Sequence, residues 1–248
     1  MEKANKKVNA AIIIIGNEIL SGRTQDANVA YLSKWLNELG VKVEEVRVIP
    51  DLEDSIVGTI KEVRKKFKYI FTTGGIGPTH DDITSRSMAK AFNLSYEYHK
   101  EAYEILEKYY NPGEFNEGRK KMAKMPDKAS LIFNPSSAAP GFIVENVYCL
   151  PGVPSILKSM LGGLNNKIMG GKKILSKTMN LRTVESEIAK SLEKVQDKFK
   201  DIEIGSYPFF KQGKVGVSIV MRSTEENLIS DCYKDIQNFV ERLKIKII

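Results

Sequence analysis

Several features that would point to particular protein classes are scarce or missing in this chain of 248 residues. It has two cysteines, Cys149 and Cys232, and neither belongs to a Cys-x-x-Cys pair, so neither a disulfide framework nor a structural zinc site is expected. Only two histidines occur, which excludes His-rich metal chemistry. The longest apolar run, Ala10–Ile15, is too short to span a bilayer, and no signal-peptide pattern precedes it. We therefore expect a cytoplasmic protein with no membrane contact.

The chain also lacks a strong excess of charge of one sign. Lys and Arg number 38 against 31 Asp and Glu, a net charge of +7, and the surplus is spread out rather than interleaved with aromatics. Such a balance permits attraction of small anions such as nucleotides but does not indicate nucleic-acid binding. We expect a small-molecule nucleotide substrate and no nucleic-acid partner. The apolar fraction of 42% is enough for a substantial core.

The hydrophobic pattern divides the chain into two parts. Apolar runs at Val8–Ile15, Val41–Ile49 and Tyr69–Thr73 alternate with amphipathic helical patterns, which is typical of a mostly parallel sheet with helices on both faces. After a glycine-rich region, a β-α-β-β-α-β order favours a small ferredoxin-like α+β domain. We predict an α/β domain over residues 1–165 and an α+β domain over residues 166–248.

Familiar nucleotide and hydrolase motifs are absent. Gly75-Ile-Gly77 begins a G-x-G-x-x-G pattern, but His80 stands at its sixth position, which disfavours a dinucleotide-binding Rossmann site. No phosphate-binding G-x-x-x-x-G-K-[ST] loop and no G-x-S-x-G nucleophile elbow occur. A nucleotide site, if present, must use another loop.

The stretch Tyr69–Thr84 offers that loop. An apolar strand pattern runs into the glycines Gly74, Gly75 and Gly77, and Asp81 and Asp82 follow just before a helical pattern. A glycine-rich turn at a helix start can point backbone N–H groups at an anion. Because carboxylates would repel a bare phosphate, the two aspartates suggest a bridging metal ion or a proton-transfer role.

Three loops should meet at one edge of the sheet. Gly16–Asn28, Pro50-Asp51 and Gly74–Asp82 each follow the carboxyl end of a predicted strand, where open α/β sheets bind their ligands. All three carry acidic residues. The topology therefore predicts an acidic cluster beside the glycine loop.

Simpler interpretations of the same residues stay open. Asp51 and Asp82 could each be the N-cap of the helix that follows. A short basic helix is expected over residues 116–124 and carries Lys121 besides Arg119 and Lys120. Arg119 and Lys120 could belong to a solvated face of that helix. His80 could donate to a phosphate or be an exposed turn residue.

Six stretches match a known family as a set. They are Gly16-Asn-Glu-Ile-Leu-Ser-Gly22, Gln25-Asp26-Ala-Asn28, Val48-Ile-Pro-Asp51, Thr72-Thr-Gly-Gly-Ile-Gly-Pro-Thr-His-Asp-Asp82, Ala139-Pro-Gly-Phe142 and Leu150-Pro-Gly-Val-Pro154. The chain resembles the molybdopterin-binding-like domain shared by CinA-type proteins, eukaryotic FAD synthases and the enzymes that adenylylate molybdopterin and insert molybdenum. The glycine motif, and Ile204-Gly-Ser-Tyr-Pro208 in the second part, look closest to FAD synthase, and the resemblance covers nearly the whole chain.

The resemblance implies a three-layer αβα fold and an expected activity. We expect a stand-alone form without the deamidase domain of longer CinA proteins or the FAD-synthesising module. What remains is metal-dependent hydrolysis of a nucleotide pyrophosphate, ADP-ribose or FAD, releasing AMP, with Mg²⁺, Mn²⁺ or Co²⁺. Two alternatives stay open: a molybdopterin adenylyltransferase-like enzyme that uses ATP, and a non-catalytic nucleotide- or pterin-binding module. Relatives of this domain are commonly oligomeric, so we expect a homo-oligomer, with a dimer as the specific expectation.

The resemblance also ranks candidate residues. Asp82 and Asp51 are expected to hold the metal, with Asp26, Glu18 and Arg119 in supporting catalytic roles. Nucleotide contacts are expected from the glycine loop and the matched neighbouring stretches: Thr73, Gly74, Gly75, Gly77, Pro78, Thr79, Gly16, Glu18, Asn28, Pro151 and Gly152. Two departures from the CinA pattern stand out, since Asn17 replaces the usual aspartate and Ser137-Ala138 replaces the usual Gly-Thr.

Overall fold

The computed structural model describes residues 8–211 and 213–248, which form two compact units. The first unit ends at Gly171 and the second runs from Lys172 to Ile248. Within the described residues, none of the helices combines the length and the apolar character needed to cross a bilayer.

The first unit is built on a six-stranded sheet. Its strands are β1 (Asn9–Ile15), β2 (Lys42–Ile49), β3 (Tyr69–Thr73), β6 (Ser130–Ile132), β7 (Gly141–Val144) and β8 (Val147–Leu150). They lie in the order β2-β1-β3-β8-β7-β6. The first three and β8 run parallel, whereas β6 and β7 are antiparallel additions. A small separate ribbon pairs β4 (Tyr96–Tyr98) with β5 (Lys124–Pro126). The predicted fold class, a three-layer mostly parallel α/β sheet, is confirmed.

Helices cover both faces of this sheet. They are α1 (Asn17–Leu20), α2 (Asn28–Glu38), α3 (Glu53–Val63), α4 (Thr84–Phe92), α5 (Lys100–Tyr109), α6 (Glu117–Lys121) and α7 (Pro154–Leu161). Strand β1 is buried on both faces of the sheet, because its side chains alternate between two hydrophobic cores. Ile13 packs with Ile60 of α3 and Met88 of α4, whereas Ile12 packs with Leu36 of α2.

The second unit has the predicted β-α-β-β-α-β order. Its elements are β9 (Leu175–Arg182), α8 (Glu185–Lys198), β10 (Glu203–Lys211), β11 (Lys214–Ser223), α9 (Glu226–Arg242) and β12 (Lys246–Ile247). The strands form an antiparallel sheet in the order β10-β11-β9-β12, the ferredoxin-like arrangement. One apolar core joins the sheet to the two helices through residues such as Ile219, Ile188 and Ile236.

Two local expectations differ from the structure. The segment from Gly16 to Gly22, expected to be a loop, contains the single turn α1. The basic helix expected over residues 116–124 ends at Lys121, because Lys124–Pro126 pairs with Tyr96–Tyr98 instead. Both differences depend on short segments whose partners lie far away in the sequence.

Candidate functional site

A cleft of about 600 Å³ lies at the edge of the sheet where the parallel strands end. Its walls come from the loops that follow β1, β2, β3 and β8 and from the loop between β6 and β7. Because β2 lies on one side of β1 and β3 on the other, the chain changes direction between β1 and β3. Open α/β sheets bind ligands at such a switch point. The lining includes Glu18, Thr24, Asp51, Gly74, Gly75, Ile76, Gly77, Pro78, Thr79, Asp81, Asp82, Asn134, Pro151, Gly152 and Ile156.

The glycine loop needs its glycines for steric reasons. At Gly74, with φ +101°, an added Cβ would lie 2.2 Å from the carbonyl oxygen of Ile15. At Gly75, with φ +68°, it would lie 2.2 Å from Oγ1 of Thr84. A larger side chain at either position would clash and would also adopt a disfavoured left-handed conformation. The loop can therefore run close against β1 and the start of α4.

Backbone donors in this loop are available to a ligand. Among residues 8–211 and 213–248, the N–H groups of Gly75, Ile76 and Gly77 donate no hydrogen bond, and all three residues are partly exposed in the cleft. Gly74 N–H, in contrast, donates to the carbonyl of Leu150 at 3.1 Å. A run of unpaired amide donors can bind anionic oxygens.

Thr79 holds the two aspartates that follow the glycines. Its Oγ1 lies 2.5 Å from Oδ1 of Asp81 and 2.5 Å from Oδ2 of Asp82, and its N–H donates to Oδ2 of Asp82 at 2.7 Å. Lys121 of α6 donates to the carbonyl of Thr79. Both bonds to Asp82 are therefore made to its Oδ2. Its other carboxylate oxygen, Oδ1, forms no hydrogen bond within the described residues.

Asp51 faces these carboxylates from the end of β2. Partial burial, followed by the charges of Glu18, Asp81 and Asp82, raises the pKa of Asp51 above its ordinary value. A hydrogen bond of 2.8 Å from the N–H of Asn17 to Oδ2 opposes that shift. Burial is the largest cause of the raised pKa, and the neighbouring carboxylates add to it.

The donor set fits a divalent cation that is shared with a ligand. In the part of the chain that the structure describes, no group of three or more His, Cys, Asp or Glu residues could enclose a metal ion. Mg²⁺ commonly uses one or two carboxylates and completes its shell with water and substrate phosphate oxygens. Asp51 and Asp82 both line the cleft, so their carboxylates could supply those one or two protein ligands.

The interpretation of these aspartates as helix N-caps is wrong. The N-cap of α3 is Leu52 and that of α4 is Ile83, and neither helix start has a side-chain cap. The carboxylate of Asp51 bonds Asn17, and that of Asp82 bonds Thr79. Both side chains are therefore directed to the loops of the cleft rather than to their own helices.

Several other candidates lie outside the cleft lining. Asp26 accepts a hydrogen bond from Val29 N–H at the start of α2, and the buried Asn28 donates to the carbonyl of Gly152 at 2.8 Å. Gly16 and Thr73 are buried backbone positions at the ends of β1 and β3. These four residues support the loops, and the structure does not place them on the cleft surface.

Arg119 is also engaged elsewhere. Its guanidinium lies 4.1 Å from the ring centroid of Tyr110, and Nη1 donates to the carbonyl of Glu114 at 2.5 Å. Lys121, two residues further along α6, is the basic side chain that reaches the glycine loop. Lys121 belongs to the basic helix expected from the sequence, but it was not among the predicted site residues.

Asn134 was not among the predicted site residues either, and it organises the loop between β6 and β7. It is 8% exposed, and its Nδ2 donates to Oγ of Ser137 at 2.7 Å and to the carbonyl of Ala139 at 2.9 Å. Its Oδ1 accepts from the N–H groups of Ser136 and Ser137 at 2.9 and 3.2 Å. The Asn-Pro-Ser-Ser sequence is a turn signal that could have identified this role.

We expect Asn134→Ala to lower the free energy of unfolding by about 2–4 kcal/mol, because it removes four partly buried hydrogen bonds and leaves their backbone and hydroxyl groups without that partner. Asn116→Ala is the matched control, since exposed Asn116 accepts a single bond from Arg119 N–H at 3.1 Å; its expected cost is about 1 kcal/mol. Urea denaturation of both variants measures the difference. Equal costs would contradict the role given to Asn134.

Comparisons with family models divide the chain as its structure does. The model described as "Probable molybdopterin binding domain" matches residues 11–169, and that described as "FAD synthase, middle domain" matches residues 173–246. The first match covers well over half of the chain.

Similar proteins extend over both units. A protein of Archaeoglobus fulgidus is 34% identical over 235 residues, which cover 95% of this chain and 98% of that protein. One of Sulfurisphaera tokodaii is 34% identical over 247 residues, covering 95% of this chain and 93% of its own. Among solved structures, the crystal structure of the protein CinA with unknown function from Thermoplasma acidophilum is 32% identical, with a TM-score of 0.61, and covers 66% of this chain and 99% of its own.

Proposed function

Because this chain belongs to the molybdopterin-binding domain family, and carries the FAD synthase middle domain beside it, we propose that it hydrolyses the pyrophosphate bond of a nucleotide such as ADP-ribose or FAD and releases AMP. One observation carries the proposal. Unpaired N–H groups of Gly75–Gly77 and the carboxylates of Asp51 and Asp82 line the same cleft. Donors for phosphate oxygens and ligands for a cation therefore lie side by side.

The glycine loop would bind the pyrophosphate. Its amide donors are fixed by the backbone, so they need little reorganisation as negative charge increases on the phosphoryl oxygens. The apolar side chains of Ile76 and Ile156 also line the cleft and would contact a less polar part of the ligand.

Asp51 and Asp82 would hold a divalent cation, Mg²⁺, Mn²⁺ or Co²⁺, which would neutralise charge on the pyrophosphate oxygens. Glu18 also lines the cleft, and its carboxylate would orient the water and accept its proton. The water oxygen then forms a bond to one phosphorus, the bridging P–O bond breaks, and its electron pair leaves on the departing phosphate. Asp26 and Arg119 take no part at the cleft surface in this scheme.

A panel assay tests the proposal. The purified chain is incubated with ADP-ribose or FAD and with Mg²⁺, Mn²⁺, Co²⁺ or a chelator, and AMP is measured by chromatography. We expect AMP in at least one combination of substrate and metal and none with the chelator. Absence of AMP in every combination would overturn hydrolysis of these substrates.

Adenylyl transfer to molybdopterin is the second candidate, and the description of the matching family favours it. The same donors and carboxylates would serve, with a phosphate oxygen of molybdopterin in place of water as the group that attacks the α-phosphorus of ATP. Incubation with molybdopterin and ATP would then yield an adenylylated product and pyrophosphate. A binding module without activity would instead give ligand protection against unfolding with no turnover under any metal.

A further inference from the structure

Strand β10 is an unusual edge of the small sheet because it is long and carries exposed aromatic side chains. It pairs with β11 on one side, and no strand of the described residues lies on its other side. Phe210 is 74% exposed and Tyr207 is 45% exposed. Proteins generally keep such edges short, charged or covered, because unpaired strand edges associate with other strands.

The backbone groups that face the free edge can be identified. Ile204 N–H donates to Oε1 of Gln196 at 3.1 Å, so it points away from β11. Since N–H directions alternate along a strand and the β10–β11 register has no bulge, Ser206, Pro208 and Phe210 face the same way. Pro208 has no N–H, and that of Ile204 is occupied. Each chain therefore offers two donors on this edge, Ser206 and Phe210.

We propose that β10 pairs with β10 of a second copy of this chain, antiparallel and centred on Tyr207. In this register Ser206 lies opposite Pro208 and Ile204 lies opposite Phe210. Ser206 N–H then donates to the Pro208 carbonyl of the second copy, and Phe210 N–H donates to its Ile204 carbonyl. The free N–H groups of Ser206 and Phe210 are thus both paired. Their acceptors are the carbonyls of Pro208 and Ile204, the two residues that have no free N–H on this edge.

The side chains of β10 are complementary in the same register. The ends of the strand carry opposite charges, and Glu203 of one copy lies opposite Lys211 of the other at both ends. Glu203 keeps its bond to Arg222, at 3.4 Å within its own chain. The exposed Phe210 lies beside Ile204 of the second copy, which packs against the core together with Leu192 and Phe199. Pairing would therefore cover the most exposed aromatic of the edge.

Sedimentation equilibrium over a range of protein concentrations tests the proposal. The wild-type chain should dimerise, and Phe210→Ser should raise the dissociation constant by about 10-fold or more through loss of buried apolar area. Lys211→Glu should weaken the dimer, and the double variant Glu203→Lys with Lys211→Glu should restore it. Phe133→Ser, at another exposed phenylalanine (59%) in the first unit, is the matched control and should behave as wild type.

Hydrogen exchange supplies a second readout that does not depend on the variants. The amides of Ser206 and Phe210 should become protected as the wild-type concentration rises. A wild-type chain that stays monomeric, a dimer unaffected by Phe210→Ser or Lys211→Glu, or a charge swap that fails to restore association would each overturn the proposed pairing.

Discussion

Asp82→Asn is expected to lower kcat for AMP release by about 10²- to 10³-fold, the loss typical of removing one charge-stabilising group from an active site. The variant keeps an oxygen that can accept from Thr79, as Asp82 does at 2.7 Å, so the loop should stay folded. What it removes is the negative charge that would hold the cation against the pyrophosphate. Steady-state kinetics with a saturating divalent metal measure the loss.

Asp81→Asn is the matched control for Asp82, because the two carboxylates are adjacent and both contact Thr79 Oγ1. Asp81 is exposed, and its hydrogen bond from Thr79 lowers its pKa, so it is already a stable anion facing solvent. We expect it to retain activity within a few-fold of wild type. An Asp82→Asn enzyme with wild-type turnover, or equal losses in the two variants, would show that Asp82 has no special role.

Asp51→Asn is expected to change activity and stability in opposite directions. Turnover should fall by about 100-fold or more, because a proposed metal ligand is lost. Stability without metal should rise, because the asparagine can still accept from Asn17 N–H but no longer repels Glu18 and Asp82. Active sites commonly carry such a cost to stability.

The pH dependence of Asp51 follows from the direction of its shift. Because its pKa is higher in the folded protein than in the unfolded chain, the folded state binds more protons between those two values. The free energy of unfolding without metal therefore increases as the pH falls through the raised pKa. Asp51→Asn should remove this pH dependence of the free energy of unfolding. At neutral pH the variant should have a higher melting temperature than the wild-type chain. A lower melting temperature than wild type, in metal-free buffer, would contradict the account.

The parts of the site that follow directly from local sequence were accessible to prediction. When a buried parallel strand is followed by glycines and then aspartates, those residues lie at the edge of the sheet where the strands end. The structure brings Asp51, Asp82 and the glycine loop together there, while their catalytic roles stay predictions. The strand β3, Tyr69–Thr73, has the predicted bounds because its apolar run stops abruptly at Gly74.

The remaining parts depend on contacts between distant segments. Lys121 and Arg119 are two positions apart on α6, so they point about 200° apart around the helix, and sequence alone did not say which one faces the glycine loop. The β6–β7 loop joins the cleft because Leu131 pairs with Phe142 at the far side of the sheet. Short strands such as β6 carry too few residues for a periodic signal.

Turnover of ADP-ribose or FAD in water enriched in oxygen-18, with the divalent metal that supports AMP release, tests the central claim most directly. Hydrolysis at the pyrophosphate transfers one water oxygen to phosphorus, so mass spectrometry should find a single label in AMP or in the other phosphate product. Product formation should require the metal. It should also be about 10²- to 10³-fold slower with Asp82→Asn than with the wild-type chain. Unlabelled products, or no products from either substrate, would contradict the proposed hydrolysis.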